Sequence, residues 1–278
     1  MTVKEQKERL IHQLELISDA PAFEANELLI FALKIDRSKF LYMQNETITN
    51  SQINDIRKCL NKRKKGYPLQ YILGEWEFYS LPFKVGKGVL IPRADSELLV
   101  DLAIDEIGHG DEKNVFDLCS GSGALGISVA KNCSNAKVTL VEKSRKAFDY
   151  LMQNVALNNV NVIARRADIF KWTPKAKADL IICNPPYIDK NEMIKLQKEV
   201  KNEPTAALYG GKDGLKFYRL LTLRSEEFLN KGGKMMVEIG YRQADSVSSL
   251  FEFAGFEQIE VFKDYGSNDR VVSGILKK

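Results

Sequence analysis

The stretch Ile182 to Asp189, ICNPPYID, stops an apolar run on an asparagine, two prolines and a tyrosine. Proline gives a sheet no N–H and biases its predecessor away from helix, so the chain must leave the preceding strand as a stiff, extended loop. In an open α/β sheet, ligands bind outside the carboxyl ends of the strands, where this loop would fall. The side-chain oxygen of Asn184 and the carbonyl of Pro185 could accept the two N–H groups of a planar amide or exocyclic amine. Its nitrogen, normally a poor nucleophile because the lone pair is delocalised, would then be held toward an electrophile and gain electron density as it pyramidalises. No strong base is needed, because positioning and hydrogen bonds made mainly in the transition state supply the catalysis. Tyr187 offers a flat wall for such a group. By itself NPP is also just a good strand terminator, so the reading depends on its neighbours.

The neighbouring motif is FDLCSGSGALGIS, where Gly121, Gly123 and Gly126 satisfy GxGxxG between a strand and a helix. Such a turn lets backbone approach a cofactor closely, but NAD, FAD and S-adenosylmethionine enzymes all build it. Glu142 ends the next strand, placed to accept from both ribose hydroxyls, which does not separate the three. Asp117 does: a carboxylate at the end of the first strand would repel a pyrophosphate and suits the ammonium of a methionyl group, which favours S-adenosylmethionine. Asp168, ending the third strand, could meet the adenine amino group with the Ile169 backbone beside it; a solvated carboxylate is the alternative.

These residues need a scaffold. From Asn114, NVFDLC, KVTLVEK, NVIARRAD, ADLIICN and GKMMVEIG read as strands, separated by the helical segments ALGISVAKN, SRKAFDYLMQNVALN and DGLKFYRLLTLRSEEFLN. Alternation of this length implies right-handed crossovers and a parallel sheet. After a helix near Asp245 to Phe253, FEQIEVFKD and RVVSGILKK, joined by DYGSN, form a hairpin that makes one edge antiparallel. Upstream, residues 1 to 72 carry helical spacing: Leu10, Leu14 and Ile17 share one face, Ala25, Leu28, Leu29, Ala32 and Leu33 another, Ile53, Ile56 and Leu60 a third. The last of these helices ends in NKRKKG, with cations at the negative end of the dipole and Gly66 available for the C-cap. A β-rich connector, residues 73–95, follows, in which Tyr79, Leu81 and Phe83 alternate, Gly86 and Gly88 turn the chain, and Asp95 is the expected N-cap of SELLVDLAIDEI.

Composition sets the bounds. At 278 residues, one ordinary domain plus a smaller one is expected, and 44% hydrophobic with 28% charged residues is ordinary globular composition. Forty-one Lys plus Arg against 37 Asp plus Glu gives +4, too mild to argue for nucleic acid by itself and still compatible with it. The charged start MTVKEQKERL lacks the apolar core of a signal peptide, and no apolar run approaches the ~18 residues of a membrane span, so a cytoplasmic protein with no membrane partner is expected. Cys59, Cys119, Cys133 and Cys183 have no CxxC spacing and are expected as reduced thiols without a metal, and His12 and His109 lie near no nucleophile motif. Lys62 to Lys65 reads as a phosphate-binding run or, more commonly, a basic helix end facing water. Arg93 reads as a cofactor-carboxylate contact or a clamp between connector and sheet.

The chain resembles the HemK/PrmC family of protein-(glutamine-N5) methyltransferases. The resemblance rests on GYPLQYILGEWEF at 66–78, VLIPRADSELLV at 89–100, DLCSGSGALG at 117–126, NPPYI at 184–188, EPTAALYGGKDGL at 203–215 and DYGSNDRVVSG at 264–274. NPPY alone is shared with amino-methylating DNA enzymes; IPR-x-x-[ST]-E with EP-x-x-AL is far more specific. Cys119 stands where the family often has glycine, Glu142 where it often has aspartate, and Ala94 and Ser96 occupy Pro-x-Thr positions. The resemblance implies a helical N-terminal domain that docks a class-1 peptide chain release factor. It implies that a class I methyltransferase domain, residues 96–278, uses S-adenosyl-L-methionine to methylate the glutamine of the factor's Gly-Gly-Gln motif. The expected cofactor set is Asp117, Leu118, Cys119, Ser120, Gly121, Gly123, Glu142, Asp168, Ile169 and Asn184; Asn184, Pro185, Pro186 and Tyr187 are expected to hold the glutamine. A monomer that needs no nucleic acid for its chemistry is expected. Rival readings are a glutamine methyltransferase of a ribosomal protein, an adenine-N6 DNA methyltransferase, for whose target-recognition domain the chain has little room, and a binding module on a relic cofactor fold.

Overall fold

The structure is a computed structural model in which residues 1–277 are described. The chain divides into two compact units: Met1–Glu75 with Gln197–Asn202, and Trp76–Leu196 with Glu203–Lys278. The helical segment expected up to residue 72 therefore has a later six-residue piece of chain in its unit, which no local pattern announces.

The first unit packs α1 (Val3–Leu14), α2 (Pro21–Leu33), α3 (Arg37–Tyr42), α4 (Asn50–Lys64) and α5 (Leu69–Leu73). α1 and α4 each begin in a capping box, Thr2 with Glu5 and Thr49 with Gln52, which satisfies two of the N–H groups a helix start leaves open. α2 starts on Pro21, whose missing N–H is no loss there. Leu10, Leu14, Ala25, Leu28, Leu29, Ile56 and Leu60 are buried. Ile17 lies beyond the end of α1 and is only half-buried.

The second unit opens at Trp76, inside the short strand β1 (Glu75–Phe78), which is followed by β2 (Leu81–Lys84). The alternation of Tyr79, Leu81 and Phe83 does not mark one strand: Tyr79 and Ser80 have φ of 51° and 56° and form the two-residue turn between β1 and β2, the paired positive φ of a hairpin turn that matches strand twist. α6 (Glu97–Ile107) precedes the main sheet, formed with β3 (Lys113–Leu118), α7 (Ala124–Asn132), β4 (Ala136–Glu142), α8 (Arg145–Asn158), β5 (Ile163–Arg166) and β6 (Ala178–Cys183). After the short helices α9 (Lys190–Lys195) and α10 (Thr205–Leu208) come α11 (Lys216–Leu223), α12 (Ser225–Phe228), β7 (Leu229–Glu238), α13 (Ala244–Phe253), β8 (Phe256–Lys263) and β9 (Asp269–Leu276).

Among the described residues the sheet has seven strands in the order β5-β4-β3-β6-β7-β9-β8. The pairs from β5 through β7 are parallel, and β9 pairs antiparallel with both β7 and β8, as a class I methyltransferase fold requires of its C-terminal hairpin. β6 reads ADLIIC without polar alternation because both its faces are covered. Leu180 and Ile182 pack with Leu99, Val100 and Ile127 on one side, while Ile181 and Cys183 pack with Tyr218, Leu221 and Phe251 on the other.

Two expectations fail for tertiary reasons. The segment 213–230 is not one helix: it breaks at Arg224, whose guanidinium donates to the carbonyls of Ile169 (2.6 Å) and Trp172 (2.9 Å), and β7 starts at Leu229. Asp95 does not cap α6. It lies in a 3₁₀ turn, Ala94–Ser96, and pairs with Arg270 at 3.2 Å, while the residue before the helix, Ser96, makes no capping bond.

Candidate active site

The strand order runs outward from β3 and β6 in opposite directions, so the carboxyl ends of these two strands form the topological switch point at which such sheets bind ligands. Leu118 is in register with Cys183. The glycine loop that begins at Cys119 and the NPPY loop that begins at Asn184 therefore leave the sheet side by side.

The glycine loop is held from several directions. Ser120 Oγ donates to the Asp117 carbonyl at 2.7 Å and accepts from the Val141 N–H at 2.9 Å, tying β3 to β4. At Gly126 a Cβ would come within 2.2 Å of the Leu140 side chain and 3.0 Å of Asp117 Cβ, so any larger residue would force the helix or the buried sheet face to shift. α7 can thus start close enough to the sheet for the Gly126 N–H to donate to Asp117 Oδ2 at 3.0 Å. Cys119 adopts a left-handed φ of 62°, which costs a side-chain-bearing residue about 1–2 kcal/mol and explains the expectation of glycine there. Asn154, buried on α8, binds the same loop to the hairpin: its Nδ2 donates to the Ser122 carbonyl (2.9 Å) and its Oδ1 accepts from the Lys84 N–H (2.6 Å).

Glu142 lies across from this loop. Its carboxylate accepts from the Gly121 N–H at 2.8 Å and the Ser144 N–H at 2.6 Å, and burial pushes its pKa up against these bonds. Asp168 pairs with Lys143 at 2.9 Å and accepts from the Phe170 N–H at 3.1 Å, which hold it charged and below the usual carboxylate range despite the opposing effect of burial.

At the other loop, Asn184 Nδ2 donates to Ser96 Oγ at 3.1 Å, and Ser96 Oγ donates to Glu238 Oε2 at 2.5 Å. Tyr187 donates its hydroxyl to Glu238 Oε1 at 3.4 Å. The loop's path is fixed behind by Gly210, where a Cβ would meet the Pro186 carbonyl at 2.6 Å and Tyr187 Cα at 2.7 Å. The Gln243 amide donates to the Tyr187 carbonyl at 3.1 Å. Glu203 carries the facing segment: it is 4% exposed, ion-pairs with Arg93 and accepts from the Ile91 N–H at 3.0 Å.

These elements enclose a cavity of about 910 Å³, within the range of small-molecule sites. Of the expected residues, Cys119, Ser120, Gly121, Glu142, Asp168, Ile169, Asn184 and Pro186 line it. Asp117, Leu118, Gly123, Pro185 and Tyr187 do not stand among its lining residues. Asp117 and Leu118 are fully buried beneath the loop, and Tyr187, instead of offering a wall, packs half-buried on the core with its hydroxyl toward Glu238. Arg93 lines the cavity and ion-pairs with Glu203, which precedes α10 and is not part of the sheet. Sequence reasoning missed Ser96, Phe170, Lys216 and Phe217 on the cavity wall, and Glu238 behind Ser96. An acid closing an apolar strand, MMVE, was the available signal for Glu238.

A methyltransferase small domain model matches residues 94–212 and a PrmC N-terminal domain model matches residues 8–74. A protein of Thermodesulfovibrio yellowstonii named release factor glutamine methyltransferase is 41% identical over 92% of this chain and 92% of its own. The chain belongs to the HemK/PrmC family. Its relative of the same name in Fusobacterium nucleatum is 42% identical over 93% of this chain and 73% of that one. A solved methyltransferase from Pyrococcus furiosus shares the fold, with a TM-score of 0.56 at 18% identity over 81% of this chain and 99% of that one. A member of this family is an S-adenosylmethionine-dependent methyltransferase, and the site fits that donor. It has the Glu142 carboxylate pinned at the cavity edge by the N–H groups of Gly121 and Ser144, and a backbone loop open beside it. Beneath that loop, Asp117 Oδ1 is a buried acceptor with no hydrogen-bond partner.

Proposed function

We propose that this enzyme methylates the side-chain amide nitrogen of the glutamine in the Gly-Gly-Gln motif of class-1 peptide chain release factors. The observation that carries the reading is Asn184: it lines the cavity with its amide N–H₂ already committed to Ser96, which leaves its oxygen to accept from a substrate N–H. The names of the relatives at 41% and 42% identity supply the substrate class.

When bound, S-adenosylmethionine supplies a sulfonium-borne methyl group open to in-line displacement. Glu142, Gly121 and the loop from Cys119 would hold the donor's ribose and backbone-facing groups, and Asp168 with Ile169 its base. Asn184 Oδ1, on the cavity wall, would accept one N–H of the glutamine, orienting its nitrogen and stabilising it as it pyramidalises; the Pro185 carbonyl, off that wall, would have to turn toward the cavity to accept the second. Asn184 and the loop geometry contribute most in the transition state, so no general base of raised basicity is required. We assign docking of the protein substrate to the helical unit. The PrmC N-terminal domain match and the exposed apolar side chains of Leu16, Leu41 and Tyr42 support it.

The test is methyl transfer from labelled donor to a release factor, a ribosomal protein and DNA in parallel, with the product located by mass spectrometry. One methyl on the Gly-Gly-Gln glutamine is expected. A methyl on adenine or on the ribosomal protein, with the release factor untouched, would overturn the substrate assignment.

A further inference from the structure

Asn184, Ser96 and Glu238 come from three separate parts of the second unit: the NPPY loop, the 3₁₀ turn before α6, and the end of β7. Ser96 is 4% exposed and Glu238 2% exposed, so neither has bulk water as an alternative partner. The polarity of the chain they form follows from proton counting. With Glu238 ionised, its carboxylate only accepts, so the single hydroxyl proton of Ser96 goes to Oε2 at 2.5 Å. With that proton spent, the Ser96 oxygen can only accept. The group that meets it at 3.1 Å must therefore be the N–H₂ of Asn184, and the amide oxygen is left for the cavity. An unanchored asparagine amide has nearly isosteric ends and would present a donor to the substrate's own N–H₂ as readily as an acceptor. The second oxygen of Glu238 faces the Tyr187 hydroxyl at 3.4 Å, a long contact at the other end of the loop that carries the prolines.

We infer that Ser96 and Glu238 are positioning residues that lock the Asn184 amide with its oxygen toward the substrate nitrogen, an inference that rests on the glutamine-methylation reading. Ser96 lines the cavity and Glu238 stands behind it, and in this inference their effect on turnover passes through the Asn184 amide. Substrate docking and donor binding should then be indifferent to them while turnover is not.

The decisive variant is Ser96→Ala, with Ser96→Thr as the hydroxyl-retaining control. Ser96→Ala is expected to lower kcat about tenfold, the upper range for loss of one neutral hydrogen bond, with donor affinity and KM for the release factor essentially unchanged. Ser96→Thr restores the rate. In an Asn184→Ala background, Ser96→Ala costs nothing further, because the residue through which it acts is gone. Two results overturn the lock: an unchanged kcat in Ser96→Ala, or an equal loss in the presence and absence of Asn184. A third readout needs no turnover: hydrogen exchange of the Asn184 side-chain amide, slow in the wild type and expected to rise in Ser96→Ala but not in Ser96→Thr. If the wild type left the glutamine unmethylated, the substrate reading would fall while amide exchange still judged the lock. Equal exchange in wild type and Ser96→Ala would refute it.

Discussion

The helical unit buries Arg63 against counter-ions, whereas two acids of the methyltransferase unit, unlike its Arg93-paired Glu203, are buried against neutral donors. In the helical unit Arg63, 5% exposed, donates to both oxygens of Glu24 at 2.7 and 3.0 Å, to Glu199 at 2.7 Å and to the Ile17 carbonyl at 3.3 Å. The cation is met by two anions, and its fork geometry is used. In the methyltransferase unit Asp117 and Glu238 are buried as deeply, at 0% and 2%, but are held by neutral donors: a backbone N–H for Asp117, two hydroxyls for Glu238. Desolvation, outweighing these bonds, lifts both carboxyls to about 7. Paired buried charge clasps segments together. Buried acids hydrogen-bonded only by neutral donors have their pKa raised by desolvation, and at Glu238 the charge of Arg270 opposes that rise.

Arg63→Ala is the most damaging way to break the first arrangement. It strands Glu24 in a buried position and releases Glu199, and removing one partner of a buried pair costs about 3–5 kcal/mol. Urea unfolding should show that loss, with the helical unit the first to lose amide protection in hydrogen exchange. A shift below about 1 kcal/mol would mean that the pair is no more than a surface contact.

Arg63 also shows where legibility in the sequence ended. KRKK reads locally as a basic helix end, and Lys62, Lys64 and Lys65 do face water, but the partners of Arg63 lie 39 and 136 residues away. Likewise Ser96 meets Glu238 across 142 residues, so a position expected to flank a helix cap carries a site contact instead. What periodicity and turn chemistry govern was readable: α7 spans Ala124–Asn132 as the pattern implied, Gly66 follows α4 with φ of 82°, and the terminal hairpin makes the antiparallel edge. The two motifs were readable as loops at strand ends. Which of their side chains reach the cavity was not, because Asp117 and Tyr187 are turned into the protein by packing that only the folded sheet defines.

Asn184→Ala tests the other side of the comparison. Asn184 is half-buried and makes one neutral bond, to Ser96, so its removal should cost little stability. If its oxygen is a transition-state acceptor, turnover falls by about 2.7–4 kcal/mol, roughly a hundred- to a thousand-fold, by analogy with an oxyanion-hole donor. Donor affinity by calorimetry and release-factor binding should stay within about twofold. A fall in stability that matched the fall in rate would make Asn184 a structural residue like Arg63.

The smallest effect separates the two arrangements by pH. The Asp117 carboxyl titrates at about 7 in the folded protein against an ordinary 3.8, so between those values the folded state keeps a proton that the unfolded chain has released. Stability from this group is therefore present in full below pH ~4, declines as pH rises toward about 7, and is flat above. Asp117→Asn removes the titration while keeping an acceptor for the Gly126 N–H. Relative to wild type, the variant should gain on the order of 1–3 kcal/mol between pH 5 and pH 8 in the absence of donor. Glu238 is common to both proteins and cancels in the difference. Urea midpoints at the two pH values measure it. A wild-type-minus-variant difference that stayed constant between pH 5 and pH 8 would show that Asp117 is already ionised at the lower pH. The buried oxygen beneath the glycine loop would then have a counter-charge after all, and the contrast with Arg63 would collapse.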